Sequence, residues 1–297
     1  MDAVRNHPLI TVIGGANTDI GGGPAASLRL YDSNPGTIQL RPGGVGRNIA
    51  HNLRLLGLDV RLIAAVGDDL FGRGLIEGCA SLGIDTSRML TVPGARSSTY
   101  LYVTNAAGDV HVGIADMDIV QRVTPEFLRP QMAEINASDA VVVDANLSEE
   151  TIAFLAEACT APLYADPVST AKAPRLRGIL PRLAAFKPNR LEAALLTGEN
   201  YPGKAARALL ELGVRRVFIS LGAEGMLAAD GTETVRLPRN FGRVVNTNGA
   251  GDAAMAAIVW AGVRGLGLRE TTEAALSAGA QTCAVAETNN PDLKLSF

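Results

Sequence analysis

At 297 residues, with 47% hydrophobic and 19% charged side chains, the chain carries ample apolar material for a large core. Aromatic residues make up only 4%, so that core is aliphatic and alanine-rich. A formal net charge of −3 leaves no basic footprint for nucleic acid or anionic lipid, and no apolar run approaches membrane-spanning length. Cys79, Cys159 and Cys283 lie far apart with no C-x-x-C, as buried thiols of a reducing compartment do. No basic and apolar leader opens the chain, so a cytoplasmic location is expected.

In chain order, residues 9–13 (LITVI) form a β-branched run ending at Gly14-Gly15, which predicts a buried parallel strand. Asn17 and Asp19 follow, either as turn formers or as ligand-facing groups at the carboxyl end of a strand. Residues 21–41 break the helix–strand rhythm with Gly21-Gly22-Gly23-Pro24 and Asp32-Ser33-Asn34-Pro35-Gly36, and residues 37–40 alternate like a half-exposed strand. Next, Arg41-Pro42-Gly43-Gly44-Val45-Gly46-Arg47-Asn48 leads into a helix whose face is Val45, Ile49, Leu53 and Leu56, with Gly57 as its stop. A dinucleotide-binding G-x-G-x-x-G fails here, because Ile49 stands where the last glycine belongs. His51 reads as a solvent-face helix residue and Arg47 as either pocket-facing or surface.

Residues 60–67 predict a strand, and Asp68-Asp69-Leu70-Phe71-Gly72 opens a helix to about Leu82. Residues 97–104 and 110–115 flank Asn105-Ala106-Ala107-Gly108-Asp109 as a hairpin. From about 139, strands at 140–144, 163–166, 184–187 and 216–220 alternate with helical stretches, which implies βαβ units and a mostly parallel sheet. Asn146 follows the first of these strands. Asn189 and Glu192, spaced i, i+3 at a helix start, suit a capping box. The stretch from Gly198 to Ala205 nearly matches a P-loop but lacks the final Ser/Thr and follows a helix, so it reads as a helix–helix connection. Ser220-Leu221-Gly222-Ala223-Glu224-Gly225 comes off a strand end. Finally, Asn246-Thr247-Asn248-Gly249-Ala250-Gly251-Asp252 precedes a run of small apolar residues, placing glycines at the entrance of a buried helix. Free N–H groups and the positive dipole end make such an entrance a site for phosphate.

Five of these strings, taken in order, resemble the landmarks of the ribokinase-like (PfkB-type) carbohydrate and nucleoside kinases. They are Gly-x-x-Asn-x-Asp (14–19), Gly-Gly-x-x-x-Asn (43–48), Val-Gly-Asp-Asp (66–69), Lys-Pro-Asn-x-x-Glu (187–192) and Gly-Ala-Gly-Asp (249–252). The resemblance spans nearly the whole chain, with one departure: the Asp that usually leads the last signature is Asn246 here. It implies a three-layer α/β fold with a central, mostly parallel sheet flanked by helices, in one domain over 1–297. A small β lid built from about 21–41 and 96–116 is implied with it. It also implies ATP and Mg²⁺ as cofactors and in-line phosphoryl transfer to the 5′-hydroxyl of a ribosyl substrate. Asp252 would be the base, and the N–H groups at Gly249, Ala250 and Gly251 would stabilise the transferring group. Asn17, Asp19, Gly43, Gly44 and Asn48 would serve the sugar, Asn146 would contact the substrate, and Ser98, Thr99, Tyr100 and Asp116 are base-reading candidates, with Arg47 either beside them or at the surface. Ser220, Gly222, Ala223, Gly225, Gly249 and Gly251 would face the nucleotide, a helix over about 272–286 would wall the adenine, and Asn189 with Glu192 would organise the metal. The 66–72 landmark is expected to be structural.

Within the family, the finer resemblance is to the pseudouridine kinases, carried by residues 32–36, 43–50, 166–169 and 288–293 and by Asn246. Ribokinase or another nucleoside kinase is the alternative, and a non-catalytic sugar- or nucleoside-binding regulator the rival of another class. Exposed lid edges imply a homodimer through the lid; no nucleic-acid or membrane partner is expected.

Overall fold

A computed structural model describes residues 7–239, 242 and 244–296. It begins with β1 (Leu9–Ile13), β2 (Asn17–Pro24) and β3 (Gly36–Gly43), followed by α1 (Val45–Leu55), β4 (Asp59–Ile63), β5 (Ala65–Gly67), α2 (Leu70–Ser81) and β6 (Leu90–Val92). The hairpin is β7 (Thr99–Thr104) and β8 (Val110–Asp116), and short helices α3 (Pro125–Leu128) and α4 (Met132–Asn136) lead to β9 (Ala140–Asp144). Then come α5 (Glu149–Ala158), β10 (Leu163–Asp166), β11 (Leu183–Phe186), α6 (Arg190–Thr197), α7 (Pro202–Glu211) and β12 (Arg216–Ser220). The chain closes with the hairpin β13 (Met226–Asp230) and β14 (Thr234–Leu237), then α8 (Ala250–Gly262) and α9 (Leu268–Cys283).

The main sheet runs β14-β13-β12-β11-β10-β9-β1-β4. Its strands from β4 to β12 pair in parallel, and β13 and β14 close the far edge antiparallel. β9 is buried along its whole length, as a central parallel strand with helices on both faces must be. One face packs an aliphatic core around Ile152, Leu155, Leu176, Leu196 and Leu209. The other packs α1, α8 and α9 through Ile49, Leu53, Met255, Ile258 and Ala274. Alanine at five of the nine buried positions of α8 lets that helix lie close to α9 and α1. This is the expected three-layer architecture. No described helix is long and apolar enough to cross a membrane.

The second sheet, β3-β2-β7-β8, is the small lid. Its first strand starts earlier than expected: Asn17 and Asp19 belong to β2 instead of to a turn after β1. β2 also runs straight through Gly21-Gly22-Gly23, where the glycines suggested a break. Strand geometry survives because the missing side chain has a use. A Cβ at Gly21 would come within 2.5 Å of the Tyr102 hydroxyl, so the tyrosine ring lies over bare backbone. Smaller differences follow the usual end effects: β11 stops at Phe186, and the last helix starts four residues before Thr272, at Leu268. Gly198 ends α6 in the left-handed region (φ 77) and α7 starts at Pro202, so the near P-loop is a helix–helix connection.

The 66–72 landmark joins the two sheets. Asp69 caps α2 by accepting from the Gly72 N–H at 2.7 Å, and it also accepts from the Ser97 N–H (2.8 Å) and hydroxyl (2.6 Å) just before β7. Burial works against the Asp69 carboxylate, but the Ser97 and Gly72 hydrogen bonds prevail and hold its pKa below the ordinary value. Its stabilising effect is therefore present above the unfolded carboxylate range and is lost as pH falls through the folded value. D69A should lower stability by roughly 1–2 kcal/mol at neutral pH, with the deficit shrinking in acid. Thermal melts of both proteins across pH check this, and superimposable neutral-pH melts would return Asp69 to an ordinary surface residue.

Candidate active site

The parallel strands β1, β9, β10 and β11 deliver their carboxyl ends to one edge, where open α/β sheets bind ligands. Charge collects there. Asp144, at the end of β9, accepts from the Gly15 N–H and the Asn146 N–H, both at 2.9 Å. Asp166, at the end of β10, pairs with Lys187 just past β11, at 3.2 Å, with both side chains buried. Burial works against the Lys187 ammonium, but Asp166, Glu192 and Asp252 together hold its pKa above the ordinary value. Asp252, in the first turn of α8, accepts from the Asn48 amide at 2.8 Å. Burial raises its pKa to about 7, aided by nearby Asp166 and opposed by the Asn48 hydrogen bond and Lys187. A carboxylate so tuned takes up a proton near neutral pH.

The turn before α8 is fixed by backbone geometry. Gly249 adopts φ 78, and a Cβ there would collide with the Thr288 carbonyl oxygen. Asn246 shapes the approach: its Oδ1 accepts from the Asn248 N–H (3.0 Å), and its Nδ2 donates to the Ala286 carbonyl (3.1 Å). Beyond it, Ala250 and Gly251 open a 13-residue helix with the N–H groups of the first turn free of intrahelical partners.

Two cavities meet at this turn. One, of about 630 Å³, lies beneath the lid sheet. Asn17 and Asp19 reach it from β2, Gly44 and Asn48 from the start of α1, Ser98 and Tyr100 from the lid hairpin, and Asn146 from the main sheet edge. Gly43 does not line it but makes room beside it, because a Cβ there would approach the Asp19 carboxylate to 2.5 Å. Burial raises the Asp19 pKa, against an Asn17 hydrogen bond of 2.6 Å.

Besides Gly43, three of the expected sugar- or base-side residues are not at the cavity wall. Thr99 and Asp116 are paired across β7 and β8, and cross-strand partners share a face, here the one opposite Tyr100. Asp116 instead pairs with Arg96 at 3.2 Å. Arg47, read as pocket-facing or surface, is 3% exposed and turned inward. His51 is half-buried against it, not solvent-facing. Sequence reasoning also missed a group the structure places there: Lys172 lines the cavity and donates to Asn146 Oδ1 at 2.6 Å. Its stretch has no helical or strand periodicity, and its one sequence signal is its place downstream of the β10 carboxyl end.

The other cavity, of about 320 Å³, is bounded by Ser220, Gly222, Ala223 and Gly225 on one side, and by Ala275, Leu276 and Gly279 of α9 on another. Thr247, Ala250 and Gly251 close it against the first cavity, which Asn248 lines. The slot is largely apolar, lined mostly by glycine and alanine together with Met226, Leu276 and Arg239, and it runs up to the helix entrance. Asn189 and Glu192 form a reciprocal capping box, Asn189 N–H to Glu192 Oε2 at 2.8 Å and Glu192 N–H to Asn189 Oδ1 at 2.9 Å. Glu192 is buried, and burial raises its pKa. Among the described residues, no three His, Cys, Asp or Glu side chains cluster as a preformed metal cage.

Comparison with known proteins agrees with this layout. The chain is 36% identical to the pseudouridine kinase of Escherichia coli over 99% of its own length and 96% of that protein's. It is 27% identical to the ribokinase of Bacillus subtilis over 74% of each chain. A carbohydrate kinase structure from Agrobacterium tumefaciens superimposes with a TM-score of 0.87 at 33% identity, covering 97% of this chain and 94% of that one. The model of the pfkB family of carbohydrate kinases matches residues 8–295, and the chain belongs to that family.

Proposed function

We propose that this kinase transfers the γ-phosphoryl group of ATP to the 5′-hydroxyl of a ribosyl substrate, and that the substrate is pseudouridine. One observation carries the transfer: a single turn, 247–252, separates a cavity lined by hydroxyl-binding groups from a slot suited to a nucleotide, and ends on a carboxylate titrating near neutrality. Asp19, with two acceptor oxygens, and Asn48 hold ribose hydroxyls and aim the 5′-oxygen at the turn. Asp252 receives the hydroxyl proton, and the N–H groups of Gly249, Ala250 and Gly251 take up charge on the group in flight. ATP supplies that group, and Mg²⁺ offsets its phosphate charge. The residues fit a Mg²⁺ held mainly through water: Glu192 uses Oε2 for its cap, leaving Oε1 for a hydration shell near Lys187 and Asp166.

Pseudouridine is favoured by near full-length similarity to a pseudouridine kinase, and by a cavity larger than a free pentose fills. Ser98, Asn146 and Lys172 add further polar groups to the lining of this cavity. Pseudouridine joins its ring through carbon and so keeps a ring N–H that uridine lacks. A buried acceptor facing that N–H penalises uridine, which would leave it unpaired. The kcat/KM for pseudouridine should exceed that for uridine and for ribose by about tenfold or more. A coupled ADP-release assay over a nucleoside and sugar panel measures this. Preference for ribose would favour ribokinase, and no turnover with any acceptor would favour a binding protein.

D252N should retain nucleotide binding and lose roughly 10²–10⁴ in rate. Because the folded pKa is raised above the unfolded value, the carboxyl of the free protein is protonated below about pH 7, so kcat/KM falls on the acid side with that midpoint. The same sign makes Asp252 an increasing burden as pH rises from the unfolded carboxylate value to about 7. D252N should therefore gain thermal stability over the parent at pH 8 and little at pH 4. Turnover within a few-fold of the parent, or a kcat/KM flat from pH 5 to 8, would remove Asp252 from the base role.

The lid also supports a homodimer. Ile38, Leu40, Leu101, Val112 and Ile114 are 77%, 61%, 43%, 51% and 64% exposed and share the face of the lid sheet turned away from the cavity. A monomer rarely leaves so continuous an apolar face in water. Light scattering at assay concentration should give twice the chain mass, and L40E with I114E should give the chain mass alone. A monomeric parent would dismiss the assembly.

A further inference from the structure

Arg47 is buried in the first turns of α1 and forms no ion pair among the described residues. All its partners are neutral. One terminal nitrogen donates to the Pro42 carbonyl at 2.8 Å, to Asn289 Oδ1 at 3.0 Å and, closely, to Asn48 Oδ1. The other meets His51 Nδ1 at 3.3 Å, and the buried Nε has no partner. A guanidinium held this way is costly, and an apolar side chain of similar length would pack without that penalty. The geometry shows what it does instead. An Asn amide has one accepting and one donating end. With Oδ1 committed to Arg47, the Asn48 NH₂ has to point the other way, and there it meets Asp252 Oδ2 at 2.8 Å.

Asn289 is oriented by the same cation. Its Oδ1 accepts from Arg47 and its Nδ2 donates to the Asn48 carbonyl at 3.1 Å. The residue before it, Thr288, presents the carbonyl that abuts Gly249. Two residues further back, the Ala286 carbonyl accepts from Asn246 (3.1 Å) and from Arg41 of the lid strand β3 (3.0 Å). His51 completes the set. Burial and the neighbouring Arg47 hold its pKa down at about 4, so above that pH the ring is neutral and Nδ1 accepts.

We infer that Arg47 is a positioning residue of the phosphoryl-transfer site, turning the Asn48 amide so that its NH₂ faces the Asp252 carboxylate and fixing, through Asn289, the segment that backs the glycine turn. The inference rests on the reading of Asp252 as the base. Without Arg47, the Asn48 amide is free to flip its oxygen toward the carboxylate, which loses a donor and meets a repulsive dipole. Either change disfavours the ionised base.

The test is the titration of Asp252, read by ¹³Cγ NMR of aspartate-labelled protein and assigned by the signal lost in D252N. The titratable groups facing Asp252 are Asp144, Asp166 and Lys187, and those facing Arg47 are Asp19, Asp252 and the neutral Cys79 and His51, all left in place. In R47M the midpoint should move up by about half a pH unit or more, and the acid limb of kcat/KM should move with it. N48A should show a similar rise. In the N48A background R47M should add little, because the group it orients is gone. An equal further rise there would make Arg47 a mere long-range charge, and no shift in R47M would make it a packing residue; either result overturns the inference. Should R47M not fold, N289A keeps the buried charge and releases one anchor, and an unmoved Asp252 midpoint in N289A is equally fatal. The base reading fails separately: a D252N that still turns over refutes it, whatever the Arg47 variants do.

Discussion

Burial of three carboxylates at one sheet edge is the constraint on which the site depends. Asp144, Asp166 and Asp252 come within one another's field, and charged groups in such surroundings need donors or counter-charges. Each finds a different solution. Asp144 takes two backbone N–H groups, Asp166 takes the Lys187 ammonium, and Asp252 receives one neutral amide and a more distant share of Lys187. Asp252 is left with a single neutral donor of its own, and burial raises its pKa as it does that of Asp144. The fold holds this carboxyl in an unfavourable state, and the chain bears the stability penalty at neutral pH.

The glycine turn is the complement of that cluster. Its backbone offers N–H groups where the carboxylates offer negative charge, within one turn of α8. The two can stand so close because Gly249 alone fits against Thr288, and because alanine and glycine fill the first turn. Bulkier residues would push the two cavities apart, and the proposed in-line transfer needs the reacting oxygens on opposite sides of one phosphorus.

Much of this was legible in the sequence where local chemistry decides it. The β-branched runs at 9–13, 140–144 and 216–220 became strands with those bounds, since a central parallel strand is hydrophobic on both faces. The glycine entrance to α8 and the capping box at Asn189 were equally plain. What escaped was set by distant contacts. Gly21 to Gly23 look like a break until Tyr102, eighty residues on, is laid over them. Arg47 looks like a surface or pocket residue until Asn289 arrives from the other end of the chain. Two lid candidates, Thr99 and Asp116, lie off the cavity for a simpler reason. Strands have period two, and residues 98 to 100 cannot all face one cavity. Ser98 and Tyr100 do, and Thr99 does not.

That same alternation gives the lid its double character. On the cavity face, Asp19 and Tyr100 stand side by side in register, and Tyr100 stacks on Tyr102 with ring centroids 5.5 Å apart. On the other face, Ile20, Leu40, Leu101 and Ile114 line up across four strands. Four short strands with one apolar side do not bury enough surface to be rigid alone, so the order of the inner face depends on what covers the outer one. Covering the outer face fixes the strand register, and register decides whether Asp19 and Ser98 point at the acceptor or away from it. On the proposed reading, selectivity for the acceptor and association through the lid are two consequences of one strand pattern. A substitution confined to the outer face should reach the chemistry without touching the substrate.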